Sequence, residues 1–411
     1  MKLSAPPPIP FDEAKRLVRA EVAPLAIERV PLGDAWGRVL AAPVIARDPV
    51  PPFAGSMVDG FAVRAADVAA ASAEHPVPLV CRLTIAAGED SAAGPGPGEA
   101  IRIMTGAPAP RDADAIVMLE DTEWDADRVL VRRAVPVGAH LRRVGEDVER
   151  GATVLAPGRA LRPADVGACA AAGFATVDVH ARPRVAILVT GDELLPPAAP
   201  LTPGKIRSSN DWTLAAQVRE AGALPEVLGV GADSEADLES ALERARDVDV
   251  LVTSGGVSVG DRDLVRAVLA ATGFEERFWR VASSPGKPLL FGRRGRTLVF
   301  GLPGNPVSSA VAFENFVRPT LRAQQGDLQP ERPVLRARVE AEITGPVDRR
   351  HFARVAVRFD GAGPVVREVG PRGSGNLTSL VHADGLAILP EGVGRVGAAD
   401  AVDVMWLAGG R

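Results

Sequence analysis

Arg184-Val-Ala-Ile-Leu-Val-Thr-Gly-Asp-Glu-Leu194 is the stretch on which the fold turns. Val185–Thr190 is an unbroken apolar run that ends in a glycine turn, the pattern of a strand buried on both faces of a parallel sheet. Two more such runs follow, Val248–Thr253 and Leu298–Gly301. Between and after them the period changes to that of helices. Asp211–Ala221 and Leu264–Ala271 are two, and Val307–Leu321 is a third. Ser234 and Asp237 form a capping box ahead of Leu238, Ala241, Leu242 and Ala245. Strands alternating with helices require right-handed crossovers, so 183–325 is expected to be a doubly wound α/β domain.

The flanks read differently. Asp12 to Val22 is a short amphipathic helix with Ala14, Leu17 and Val18 on one face, broken near Pro24. It belongs to a helical N-terminal module, expected over 1–46 and 148–182. From 47 to 147 short β-like runs (Val77–Ala87, Ala115–Met118) alternate with turns such as Gly94-Pro-Gly-Pro-Gly98. A mixed, β-rich module is inserted there. Beyond Pro330 the period becomes two (Leu335, Ala337, Val339, Ala341, Ile343; then Val355, Val357, Phe359), so 331–411 is expected to be a small β-barrel or sandwich. The fold class is therefore multidomain, α/β and β.

Composition removes several functions. The chain has 411 residues, 47 basic and 52 acidic, for a net charge of −5, and no basic block, which argues against nucleic acid or a membrane surface as partner. Its longest uncharged apolar stretch, Val166 to Val177, is too short to span a bilayer, and no signal-peptide core opens the chain, so cytoplasm is expected. Cys81 and Cys169 are far apart, and no two of the five histidines (75, 140, 180, 351, 382) have metal-site spacing. Tyrosine is absent. Only four basic residues are lysines, so Lys287, inside the motif Pro285-Gly-Lys-Pro288, stands out.

In open α/β sheets ligands bind at the carboxyl ends of the strands. Three loops must meet there: Thr190-Gly-Asp-Glu-Leu194; Thr253-Ser-Gly-Gly-Val-Ser-Val-Gly-Asp-Arg-Asp263; and Gly301-Leu-Pro-Gly-Asn-Pro-Val-Ser-Ser309. Ser254, Gly255 and Gly256 can turn backbone N–H groups toward an anion, although the same residues also suit a plain tight turn. Asn305 and the hydroxyls of Ser308 and Ser309 stand near the start of the next helix. Glu193, Asp261 and Asp263 lie on the same loops, and Asp233 precedes the capped helix, where it is either a site acid or an N-cap. Carboxylates beside an anion nest conflict unless a cation separates them. Mg²⁺ would, since it takes one or two carboxylates plus phosphate oxygens. Gly256-Val-Ser-Val-Gly260 also fits the hydrolase pattern G-x-S-x-G around Ser258, with Asp327 and His351 downstream; but Gly255-Gly256 separate that serine from its strand, whereas a nucleophile elbow needs it at the turn. Asp59 and Thr105 are single polar residues in the turn-rich segments of the inserted module, where capping is the simpler role.

Taken together, Ser56-x-x-Asp-Gly60, Ile103-Met-Thr-Gly-Ala-Pro108, Arg143-x-Gly-Glu-Asp147, Thr190-Gly-Asp-Glu-Leu194, Ser208-Ser-Asn210, Ser254-Gly-Gly-Val-Ser-Val-Gly260, Pro285-Gly-Lys-Pro288 and Gly301-Leu-Pro-Gly-Asn-Pro-Val-Ser308 resemble, in order, the MoeA family of molybdopterin molybdenumtransferases, which includes the C-terminal part of gephyrin. The resemblance spans nearly the whole chain. It implies four domains, the α/β one similar to MogA and MoaB, an elongated homodimer, and a site shared between subunits. It further implies Mg²⁺-dependent insertion of molybdate into adenylylated molybdopterin with release of AMP, and transient contact with a molybdopterin adenylyltransferase. By position, Glu193, Asp233 and Asp263 match the family's essential acids, with Glu193 and Asp263 expected to hold the metal. Asp59 and Thr105 match the inserted domain's contribution. Ser254, Gly255, Gly256, Ser258 and Asn305 match the pterin-nucleotide loops, which Pro303 and Pro306 shape. Lys287, Ser308, Arg349 and Ser374 match the molybdate contacts.

Three departures stand out. Family members usually read Ser-Ala-Met-Asp-Gly, whereas Met57-Val58 stand here in place of Ala-Met. A lysine usually precedes Pro-Gly-Lys-Pro, but Ser284 does here, after Ser283. An upstream lysine is Arg280, a planar fork in place of a point charge. These leave a non-catalytic pterin-binding scaffold or a divergent paralogue as alternatives to the transferase.

Overall fold

The computed structural model describes residues 6–89, 93–125, 127–231, 235–256 and 264–407. Ser234 of the expected capping box lies outside them.

The central sheet has six strands in the order Leu224–Gly231, Arg184–Thr190, Val250–Ser254, Thr297–Leu302, Leu290–Arg294, Phe274–Trp279. The first four are parallel and the last two antiparallel. All three apolar runs read from the sequence form its middle. Alternate residues of one strand feed two cores: Val185, Ile187 and Val189 face one, Ala186 and Leu188 the other. Helices Asn210–Glu220 and Pro306–Ala312 cover the first face, and Glu235–Arg244 and Leu264–Ala271 the second, the doubly wound arrangement. The helix expected over Val307–Leu321 runs to Gln324 but passes through a π turn at Phe313–Val317, next to Pro319, which has no N–H to donate. The N-terminal helix, Phe11–Ala20, packs on the first core, with the Phe11 ring 5.2 Å from Phe316 and 5.4 Å from Phe352.

In the C-terminal region the strands Arg350–Asp360, Gly363–Glu368, Val334–Val339, Ala401–Trp406 and Gly385–Leu389 pair in a ring, because the last also pairs with the first. The two-residue period thus closes a five-stranded barrel around Val339, Val355, Val366, Leu389 and Val404. The barrel is joined to the α/β sheet's hairpin region through Ser283–Ser284, which pairs in parallel with Arg350 and His351. That small seam positions half of the site described below.

The segment expected to be inserted contains a mixed six-stranded sheet, ordered Ala115–Met118, Gly60–Val63, Glu99–Ile103, Val77–Ile85, Arg128–Val131, Thr122–Asp125. On either side of it in sequence, Ile27–Pro31 pairs with Thr176–His180, and Val44–Ile45 with Thr153–Leu155, around Leu40, Cys169 and Val179.

Candidate functional site

At the carboxyl ends of the parallel strands the loops enclose a cavity of about 570 Å³. Glu193, Ser254, Gly255, Gly256, Pro303, Asn305 and Pro306 line it, together with Arg207, Ser208, Ser209 and Asn210. Gly255 and Gly256 adopt φ of +98° and +64°. A Cβ on Gly255 would lie 2.5 Å from the Thr190 carbonyl, so only glycine lets the two strand ends approach this closely. The Thr190 hydroxyl is buried there with no hydrogen-bond partner among the described residues.

Asn210, which the sequence reading left out of the site, holds the loops together. Its side-chain amide donates to Ser254 Oγ at 2.9 Å and to the Gly304 carbonyl at 2.8 Å. Ser254 Oγ in turn donates to the Pro303 carbonyl at 3.1 Å. Ser208 Oγ donates to Asp211 Oδ1 at 2.8 Å and fixes the entry to the same helix. The motif Ser208-Ser-Asn210 was visible in the sequence, but nothing in its letters says which loops it would tie.

A second cavity, about 420 Å³, abuts the first, and Pro288, Pro303 and Asn305 line both. Lys287, Ser308, Arg349 and Ser374 line this one. Asn305 Nδ2 donates to Ser374 Oγ at 2.7 Å, and Val307 N donates to the Ser374 carbonyl at 3.0 Å, so the barrel loop is locked to the start of the helix. Four cationic side chains, Lys287, Arg349, Arg354 and Arg372, face this space against one carboxylate, Glu368. Arg349 and Arg372 are engaged by Asp348 and Glu368 at 2.8 and 2.7 Å. Arg354 is only 5% exposed; its guanidinium donates to the carbonyls of Pro371 and Gly373 at 3.4 and 3.5 Å, and its Nε has no hydrogen-bond partner among the described residues. Burial lowers its pKa, an effect the Glu368 carboxylate only partly offsets. Arg354 was missed because a two-residue alternation says which way a strand residue points but not what it meets; Ser284 and His351, named in the sequence for other reasons, line the same space.

Asp59 and Thr105 meet each other but line neither cavity. Thr105 donates to Asp59 Oδ1 from its backbone N–H at 2.7 Å and from its hydroxyl at 2.9 Å, which holds the carboxyl below its ordinary range. Asp233, Ser258, Asp261 and Asp263 lie outside the described residues, and among the described residues no three His, Cys, Asp or Glu gather as a metal cluster. The downstream members of the hydrolase pattern do not meet: Asp327 is paired with Arg322 at 2.6 Å, while His351 contacts Ser284. No helix among the described residues is long and apolar enough to cross a membrane.

Three family models match in order along the chain: the MoeA N-terminal region (domain I and II) over residues 9–173, a probable molybdopterin binding domain over 186–323, and the MoeA C-terminal region (domain IV) over 336–407. Molybdopterin molybdenumtransferase 2 of Mycobacterium tuberculosis is 41% identical over 381 residues, covering 91% of this chain and 94% of the relative. The molybdopterin molybdenumtransferase of Bacillus subtilis is 37% identical over 390 residues, 94% of this chain and 91% of its own. The solved molybdopterin biosynthesis MoeA protein from Pyrococcus horikoshii superposes with a TM-score of 0.84 at 28% identity, over 98% of this chain and 100% of that one. With matching sequence along its length and the same fold throughout, the chain belongs to the MoeA family.

Proposed function

We propose that this chain is a molybdopterin molybdenumtransferase that inserts molybdate into adenylylated molybdopterin with release of AMP, in the cytoplasm and as a homodimer. The observation that supports this most is the pair of abutting cavities of unlike character. One has a glycine nest and a carboxylate, suited to a pyrophosphate-linked nucleotide; its neighbour is ringed by cations, suited to a small oxyanion. Their shared wall at Pro303 and Asn305 brings the two ligands together, so reaction becomes a matter of holding them in contact. Ser254, Gly255 and Gly256 bind and orient the nucleotide phosphates, while Lys287, Ser308, Arg349 and Ser374 hold molybdate.

Mg²⁺ suits the donors present, because Glu193 offers a carboxylate and the unpartnered Thr190 hydroxyl a second hard oxygen beside the nest. Glu193 and Asp263 would hold the ion, which neutralises phosphate charge when bound; Asp233 completes the acid set that orients water. Asp59 and Thr105, which line neither cavity of their own chain, serve the partner subunit's site in this reading. The segments 1–46 with 148–182, 47–147, 183–325 and 331–411 act as the domains, and substrate arrives by transient contact with a molybdopterin adenylyltransferase.

The test is turnover with purified protein, adenylylated molybdopterin, Mg²⁺ and molybdate. Glu193→Ala and Asp263→Ala should each abolish molybdate-dependent AMP release. Unchanged turnover in both variants would overturn these roles, and ligand binding without turnover in the wild type would favour the scaffold.

A further inference from the structure

The usual lysine before Pro-Gly-Lys-Pro is Ser284 here, and the structure shows what faces it. His351 Nδ1 lies 3.2 Å from Ser284 Oγ, the two residues being paired across the seam that joins barrel to α/β sheet. The imidazole lies on Gly345, where a Cβ would come within 2.6 Å of the ring, so the opposite loop has no side chain there and the ring fills the space. Both Ser284 and His351 line the cationic cavity beside Lys287 and Arg349. The site thus has a titratable ring beside the serine, in contact with the ligand space.

We propose that His351 is a specificity-determining residue of the oxyanion cavity: it takes up a proton as the anion binds, so that this chain holds its oxyanion more tightly as pH falls. The inference rests on the transferase reading, since it assigns the second cavity to an oxyanion. The groups around the ring set its direction. On its own strand Arg354 faces the cavity and Arg350 is committed to Asp12 and Glu391, while Arg349, just before the strand, is paired with Asp348. Glu368 approaches from the neighbouring strand, Arg372 from the loop after it, and Lys287 from the seam loop; Gly345 brings no charge. Burial pushes the imidazole below its ordinary value, Glu368 and Ser284 pull it up, and Arg354 and Arg372 press it down again, leaving it lowered. In the empty cavity the ring is therefore neutral near pH 7. A bound dianion reverses the local field and favours the imidazolium, so proton uptake accompanies binding.

The probes are molybdate and sulfate, neither of which changes charge between pH 6 and pH 8, a window of roughly the range where histidine titrates. Calorimetry on the full-length wild type, in buffers of differing ionisation enthalpy, should show proton uptake, with molybdate affinity weakening by up to about tenfold per unit of rising pH. His351→Gln should match the wild type at high pH and lose the dependence. Ser284→Ala, which keeps the imidazole, should retain it. A flat wild-type profile in protein that still binds molybdate overturns the role of His351 and leaves the transferase reading standing. Failure of both anions to bind at any pH overturns the two together, and an unchanged pH dependence in His351→Gln assigns the proton elsewhere and refutes the inference.

Discussion

Asn210→Ala removes the side chain that ties the three strand-end loops. Asn210 is 7% exposed and donates two hydrogen bonds, to Ser254 Oγ and to the Gly304 carbonyl. Neutral hydrogen bonds contribute about 0.5–1.5 kcal/mol each, and a buried acceptor left without a donor costs about 1–3 kcal/mol. Ser254 Oγ keeps its own acceptor, the Pro303 carbonyl, and Gly304 is exposed, so its carbonyl can turn to water and the loss is mainly that of the two hydrogen bonds. The expected loss is about 1–3 kcal/mol, which at a urea slope of about 1–3 kcal/mol/M moves the midpoint by roughly 1 M. Asn210→Asp should be worse than alanine, because it keeps the shape but sets a carboxylate oxygen against the Gly304 carbonyl. Urea titration of the three proteins, followed by circular dichroism, measures this. A loss under about 0.5 kcal/mol for alanine, or an aspartate variant as stable as the wild type, would refute the assignment of Asn210 as the tie between loops.

Gly255→Ala should cost at least about 2 kcal/mol, since its φ of +98° penalises any side chain and the new Cβ meets the Thr190 carbonyl at 2.5 Å; thermal denaturation beside an AMP-release assay should show both stability and turnover falling. Asp165 accepts the Arg162 backbone N–H at 2.9 Å and Arg159 Nη2 at 3.0 Å, and although burial pushes its carboxyl up, those bonds and charges hold it below its ordinary value. A lowered carboxyl stabilises the fold above its unfolded value and loses that contribution as pH falls through the folded one. Denaturation as a function of pH should therefore find Asp165→Asn less stable than wild type by about 1 kcal/mol at neutral pH, the gap closing in acid.

The centre of the fold was legible because burial on both faces leaves no room for polar letters. Val185–Thr190, Val250–Ser254 and Thr297–Leu302 read as strands for that reason. The sheet's margins were not. Leu224–Gly231 carries Pro225 and Glu226, and its pairing skips a residue before Gly229 at φ +95°, an edge strand broken by a bulge that no periodicity detects. Phe274–Trp279 holds three charged residues, Glu275, Glu276 and Arg277, which edge position tolerates and pattern reading penalises. The C-terminal alternation was plain, but whether it closed as a barrel depended on Gly385–Leu389 reaching back to Arg350–Asp360, a pairing between distant segments.

The same division runs through the site and decides what a net charge of −5 can say about anionic partners. Lys287 was legible because lysine is rare in this chain and sits in a turn motif. Arg354 is one of 43 arginines, on a strand whose letters alternate like its neighbours', and only the folded barrel buries it beside a cavity whose single lining carboxylate is Glu368. Coulomb interactions fall with distance and are screened by about 10 Å at ordinary ionic strength, so the acids scattered over the surface scarcely alter the field inside that cavity. The four cations that line it, Arg354 among them buried, set it. A chain can therefore be acidic in sum and still carry a cavity lined by cations. The charge count bears on nucleic acid and membrane surfaces as partners; it says nothing of a cation-lined cavity at the seam between the barrel and the α/β domain.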